Sequence, residues 1–368
     1  MNDFEELDNL KKYVQMKRLS SKLSNGEAAL VISETNVRYL TDFPKSEGYL
    51  FVTKDQAYLM VDSRYGEAAS RNVKNAKVVV FEDYTKTLIE LIKETETKNL
   101  LIEVTKMTVF QMTKLERNLK ETDCYIVSND RLDKLIASQR MIKSIDEIEK
   151  IRKAQQITEE AYLEILNMVK PGVKESQLAF ELEFLMRKKG AEGISFDLIT
   201  IAGAKTSMPH GVPDDNEIKR GDFVTFDIGA LYEGYHSDMT RTVVVGEVSD
   251  PQIEIYDVVY KAQTMALSKV RPGAKAYDID SAARGVIARA GYADYYKHST
   301  GHGVGLEIHE NPIISVKNET LLSENMVITV EPGIYLPGNF GVRIEDMVLV
   351  TKDGYENFAT VPKELTIV

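Results

Sequence analysis

Cysteine is nearly missing from this sequence. Cys124 is the only one among 368 residues, so no intramolecular disulfide can form, which fits a reducing cytoplasm. No apolar run approaches the roughly 20 residues that span a bilayer, and no transmembrane helix is expected. Basic charge is also short: 46 Lys+Arg against 57 Asp+Glu give a net charge of −11, a balance that disfavours a nucleic-acid surface. The opening residues, MNDFEELDNLKK, have neither a basic start nor an apolar stretch, so export is not expected and a cytoplasmic location is. Histidine is scarce as well. All five, His210, His236, His298, His302 and His309, fall within residues 210–309.

What is present reads as a globular protein, with 43% hydrophobic and 28% charged residues, long enough for two domains. The first part alternates short apolar runs with helical spacing. AALVIS (28–33), GYLFVT (48–53), AYLMVD (57–62), KVVVF (77–81), NLLIE (99–103) and CYIVS (124–128) read as strands. Residues 4–23, 84–94 and 107–119 have helical spacing, and KDQ between the second and third strands reads as a hairpin turn. This predicts a small α/β domain. Near Ser138–Ser144 the pattern changes: Ser144 and Glu147 form a capping-box signature, and Ile145, Ile148, Ile151, Ala154, Ile157 and Ala161 mark a long amphipathic helix. The expected domains are therefore 1–138 and 139–368.

The second domain contains an echo. VKPGVK at 169–174 returns as VRPGAK at 270–275, 101 residues later, and each copy leads into a helical stretch ending at Gly190 or Gly291, again 101 apart. Each copy is followed by a strand pair bearing two acids, Asp227 and Asp238 in one, Glu331 and Glu345 in the other. Two copies of a helix–helix–hairpin unit predict a pseudo-symmetric domain. Asp and Glu are depleted in strands and are almost never fully buried without a partner. In an antiparallel hairpin, setting Asp227 opposite Asp238 centres the turn between Tyr232 and Glu233, and setting Glu331 opposite Glu345 centres it on Gly338. Each pair then shares one sheet face with Cβ atoms about 5 Å apart. Adjacent buried carboxylates repel unless protonated or bridged by cations. Four in matched hairpins point to metal.

His302 stands between two glycines in GHGVGLEIHE, which suits a ligand that the backbone must approach closely. His309, seven residues on, is too far along the chain to share that metal automatically, and His210 in SMPHGVP is open to either a structural or a functional reading. His236 reads as a turn residue and His298 as a residue at most behind the site. Arg343 alternates with Glu345, so it faces the acids and either anchors them or meets a substrate oxygen.

The ordered set FDIGALYEGYHSDMTRT, GHGVGLEIHE, EPGIY and GVRIED, spread over 144–368, resembles the pita-bread metallopeptidases of the Xaa-Pro aminopeptidase and prolidase group. NVRYLTDFPKSEGYL and DSRY at 62–65 resemble the creatinase-like first domain of that group. The resemblance implies an α/β (α+β) protein with a creatinase-like domain before a pita-bread catalytic domain. It implies two divalent cations held by Asp227, Asp238, His302, Glu331 and Glu345, with Glu331 also taking the proton of the nucleophilic water. His210, His309 and Arg343 match residues that bind substrate and stabilise developing charge. A homodimer and proline-containing peptide substrates are implied in the same way. One nitrogen among many carboxylate oxygens favours a hard ion, Mn²⁺ first, with Co, Zn or Fe as alternatives. A water bridging two such ions has a lowered pKa and can attack an amide at neutral pH.

Within the group, some dipeptidases carry HE-x-P-R, where the arginine can meet a substrate's free carboxylate. Here HENPII places Ile313 at that point, which tilts the expectation toward an Xaa-Pro aminopeptidase, with the Xaa-Pro dipeptidase as alternative. A methionine aminopeptidase does not usually bring this first domain or the GVRIED pattern. A non-catalytic binding relative or a metal-free creatinase predicts lost ligands, and all five ligand types are present.

Overall fold

A computed structural model describes residues 14–44 and 47–368. The expected helix over 4–23 and the stretch containing Lys45 and Ser46 therefore lie partly outside the described residues. Within them, residues 14–20 are helical (α1). The described residues divide into two compact units, up to Arg140 and from Met141. No described helix is long and apolar enough to cross a membrane.

The first unit is built on a mixed six-stranded sheet. Its strands are β1 (Glu27–Val31), β2 (Tyr49–Thr53), β3 (Ala57–Val61), β4 (Lys77–Val80), β5 (Asn99–Ile102) and β6 (Tyr125–Val127), in the order β4-β3-β2-β1-β5-β6. The turn at 54–56 joins β2 to β3 as an antiparallel hairpin, while β1–β5, β5–β6 and β3–β4 are parallel. Helices α2 (Glu34–Thr41), α3 (Ser63–Asn72), α4 (Tyr84–Glu94), α5 (Val109–Leu119) and α6 (Arg131–Met141) complete the α/β pattern. Leu30, Phe51, Met60, Leu88 and Leu100 are among its core residues. The acid ending the fifth strand run has a structural task. Buried Glu103 accepts from the N–H groups of Ile32 and Ser33 and from Asn36 Nδ2, so it caps α2, whose N-cap Ser33 supplies no side-chain bond of its own.

The second unit opens with α7 (Ile145–Ile165), whose Ser144–Glu147 capping box is formed in both directions. Helix α8 (Glu175–Lys188) leads to β7 (Gly193–Ile194), β8 (Ile199–Ala202), β9 (Phe223–Ile228), β10 (Ala230–Tyr232), β11 (Tyr235–His236) and β12 (Met239–Val244). The pair α9 (Asp250–Leu267) and α10 (Ala276–Arg289) then leads to β13 (Gly301–Gly303), β14 (Glu310–Ile314), β15 (Val327–Val330), β16 (Gly333–Leu336), β17 (Phe340–Arg343), β18 (Asp346–Thr351), β19 (Gly354–Asn357) and β20 (Thr366–Ile367).

The repeat is visible atom by atom. Gly172 and Gly273 take left-handed φ of 88° and 79°, as do Gly190 and Gly291 at 104° and 90°. Both are conformations that only glycine adopts without strain. Gly172 N–H donates to Ile218 O and Gly273 N–H to Leu322 O, while Glu175 and Ala276 donate to Asn216 O and Thr320 O. Each copy forms its own sheet, β12-β9-β8 and β14-β13-β15-β18-β19, and the last strand, β20, joins the first sheet beside β12.

One expectation needs correction. The first hairpin pairs Asp227 with Thr240, not with Asp238. Its turn is the two-residue Glu233–Gly234 step, where both residues are left-handed (φ 46° and 80°), as a type I′ turn requires. Asp238 therefore sits two residues before Thr240, just before β12, diagonal to Asp227 on the same face. The second hairpin has the expected register: Val330 pairs with Asp346 and Leu336 with Phe340, centring the turn on Gly338 at φ 73°.

Candidate metal centre

The two hairpins bring their acids together. Asp227 projects from β9, Asp238 precedes β12, Glu331 follows β15 and Glu345 precedes β18. His302 occupies the middle of β13, and its glycine neighbours have a steric cause. A Cβ at Gly301 would lie 2.0 Å from Thr329 O, and one at Gly303 would lie 2.3 Å from Asn311 O. Asp238, His302 and Glu345 each offer a donor atom within 4.8 Å of the others. His302 Nε2 is 3.5 Å from Asp238 Oδ2 and 3.3 Å from Glu331 Oε1. His302 Nδ1 lies 3.0 Å from Gly303 O. That carbonyl can only accept, so Nδ1 carries a proton and Nε2 faces the acids; burial opposes a charge on the ring, but the hydrogen bond and charge of Glu331 outweigh it and raise the imidazole pKa.

The carboxylates are held from behind. Thr240 Oγ1 donates to Glu345 Oε2 at 2.7 Å, and Arg343 Nη2 donates to Asp227 Oδ2 at 2.5 Å. The other oxygens of these two acids, Asp227 Oδ1 and Glu345 Oε1, are buried and have no hydrogen-bond partner. Burial, then the neighbouring acids Glu345 and Asp227, push the Asp238 carboxyl well above its ordinary range. Burial, then Glu331 and Asp227, do the same to Glu345. Asp227 is raised by burial, with Arg343 opposing. Burial acts in the same sense on Glu331, but the hydrogen bond and charge of His302 outweigh it and leave that carboxyl at about 2. Orphaned oxygens and acids that favour protonation both describe a cluster short of positive charge, with donors suited to divalent cations.

Arg343 is fixed by more than Asp227. Its guanidinium also donates to Thr240 Oγ1, Pro209 O and the Tyr335 hydroxyl. The Tyr335 oxygen is 2.9 Å from His298 Nε2, and His298 Nδ1 is 2.8 Å from Ser299 O, which places the imidazole proton on Nδ1. Tyr335 thus accepts from Arg343 and donates to His298. Sequence reading assigned no role to Tyr335 or Thr240 and placed no weight on His298. Tyr335 lies on the strand paired with Arg343, two residues from Gly333, whose Cβ would meet the phenol oxygen at 2.5 Å. The alternation rule applied to Arg343 would have flagged it.

The remaining histidines separate. His309 is solvent-exposed, and its ring lies 4.4 Å from that of His302. Burial of part of its ring, then the charge on His302, lower its pKa, and His210 contributes in the same direction. His210 is also exposed. His236 is tied to Ser195 Oγ by Nδ1 at 2.8 Å and donates its backbone N–H to Gly305 O.

Residues 149–352 match the model of metallopeptidase family M24, and residues 16–142 match the creatinase/prolidase N-terminal domain. The uncharacterized peptidase YqhT of Bacillus subtilis is 41% identical over 93% of this chain and 96% of its own. The Xaa-Pro dipeptidase of Pyrococcus furiosus is 41% identical over 92% and 95%. Among solved structures, the Xaa-Pro dipeptidase from Bacillus anthracis superposes with a TM-score of 0.92 at 37% identity, covering 97% of this chain and all of that one (100%). The X-Pro aminopeptidase from Thermotoga maritima gives 0.87 at 35% identity, covering 93% and 97%. Acids from two matched hairpins gathered around one histidine, in a chain that aligns end to end with these enzymes, lead to one conclusion: the chain belongs to metallopeptidase family M24, in its pita-bread Xaa-Pro peptidase group.

Proposed function

We propose that this protein is an Xaa-Pro aminopeptidase, an exopeptidase that hydrolyses the bond between the first residue of a peptide and a following proline. The observation carrying the chemistry is the pair of orphaned carboxylate oxygens, Asp227 Oδ1 and Glu345 Oε1, beside Asp238, His302 and Glu331. These five residues would hold two divalent cations, manganese by preference for a donor set of one nitrogen and many carboxylate oxygens. Bound cations would supply Lewis acidity, lowering the pKa of water and polarising the scissile carbonyl.

The chain's own groups do the rest. Glu331, whose carboxyl is held low by His302, would accept a proton from the attacking water. Arg343 orients Asp227 and opposes the burial that raises its carboxyl, and is itself oriented by Tyr335. His309, its pKa lowered, is neutral at pH 7 and can donate a hydrogen bond to the oxygen that develops charge. His210 stands exposed with it and binds the substrate. A free substrate α-amine suits the acid-rich cluster, and proline's ring offers a shape that a pocket can select.

Tolerance of chain beyond proline rests on Ile313, 48% exposed and apolar where a carboxylate-binding arginine would stand. The Xaa-Pro dipeptidase reading is favoured by the name of the Pyrococcus furiosus relative. Products from Gly-Pro and Gly-Pro-Ala with Mn²⁺ supplied decide between them. The expected result is cleavage of the tripeptide at least as fast as the dipeptide, with N-acetylated peptides resistant. Hydrolysis of Gly-Pro alone would assign the dipeptidase, and cleavage of the acetylated peptides would remove the exopeptidase reading. The homodimer belongs to this proposal through the family resemblance.

A further inference from the structure

Lys143 and Glu310 form an ion pair with side chains only 1% and 5% exposed, Nζ to Oε2 at 3.2 Å. Taking two charges out of water costs more than a packed apolar pair of similar volume, so such a pair contributes little to stability over its apolar replacement. It does fix a geometry. Lys143 is anchored at its own end: its backbone N–H donates to Asn325 O at 2.9 Å, and the capping box of α7 begins at the next residue. Its ammonium is buried against Glu310 and holds that carboxylate in place.

Glu310 in turn closes the segment 303–310 on itself. Its Oε1 accepts the Glu307 N–H at 3.1 Å, and both carboxylate oxygens fill the space beside Gly305, where a Cβ would lie 2.7 Å from each. From the other side, His236 N–H donates to Gly305 O at 2.9 Å. His309 immediately precedes Glu310, at the end of the bend that leads into β14. Anchoring Glu310 therefore fixes the backbone from which the His309 side chain starts, and its ring lies 4.4 Å from that of His302.

We infer that the Lys143–Glu310 ion pair is a positioning device for His309. It sets the imidazole over the acid cluster without touching substrate or cations. The inference rests on the functional reading above for the consequence in rate, and on geometry alone for the position of the ring.

A double-mutant cycle with Glu310→Gln and His309→Ala tests it. If Glu310 acts through His309, Glu310→Gln lowers kcat on Gly-Pro-Ala by about 10-fold or more with KM changed less than about 2-fold, and costs almost nothing further in the His309→Ala background. Bound cations and thermal midpoint are measured on the same samples. An equal loss in both backgrounds, or a loss of cations, would overturn the inference, because the pair would then serve the fold or the metal centre. The ring position is read separately, from the nuclear Overhauser effect between the His302 and His309 ring protons in zinc-loaded protein. It should be present in the wild type and lost in Glu310→Gln. Persistence of that signal in the variant contradicts the inference, whichever peptides are cleaved. Inactivity of the wild type on every proline peptide, with the signal behaving as expected, would fail the functional reading alone. Should Glu310→Gln not fold, Lys143→Arg, which keeps the charge and moves the donors, is carried through the same cycle.

Discussion

Each carboxylate at this site has a different neighbour, and the neighbour sets its role. Glu331 is held low by its hydrogen bond to His302, whereas at Asp238, also beside His302, and at Glu345 burial and the neighbouring acids win and favour the proton. Behind them, the Tyr335 hydroxyl links Arg343 to His298. Tyr335→Phe leaves buried Arg343 and half-buried His298 each short of a partner, a loss of about 1–3 kcal/mol at the buried one. Since Arg343 orients Asp227, kcat should fall by about 10-fold with the cations still bound, read by steady-state kinetics beside elemental analysis. The acids and His302 were legible in sequence because charge inside a strand, or a histidine between glycines, is unusual. Tyr335 and Thr240 were not, because tyrosine and threonine are what strands ordinarily contain. His298 escaped because its partner lies 37 residues along the chain.

Two hairpins of one repeat were read with unequal success, and the reason is local. Gly338 announces the second turn, and its φ of 73° bears out that reading. In the first, only Gly234 advertises a turn, while Glu233 also adopts a left-handed φ of 46°. A glutamate there gives no signal, so setting the two aspartates opposite each other places the centre one residue too early. The sheet face was still right, since the displacement is a full two-residue step. The strand β13 depends more tightly on its residues. Gly301→Ala would drive a Cβ into Thr329 O on β15, and overpacking of this kind costs about 1–3 kcal/mol. Because His302 is the next residue, thermal denaturation should show the loss of stability, and cation affinity should weaken with it.

The molecule as a whole joins an α/β unit to a unit made of two copies of one motif. That second unit was legible through the 101-residue echo, because turns that need left-handed glycines repeat wherever the backbone repeats. The consequence is geometric: the acid cluster forms where the copies meet, with Asp227 and Asp238 from one, and His302, Glu331 and Glu345 from the other. The most direct test is a titration of metal-free protein with Mn²⁺, following bound ion and Gly-Pro-Ala hydrolysis together. The account predicts that two equivalents bind per chain and that hydrolysis, absent at the start, saturates with them. Full hydrolysis by the exhaustively chelated protein, before any Mn²⁺ is added, would contradict it.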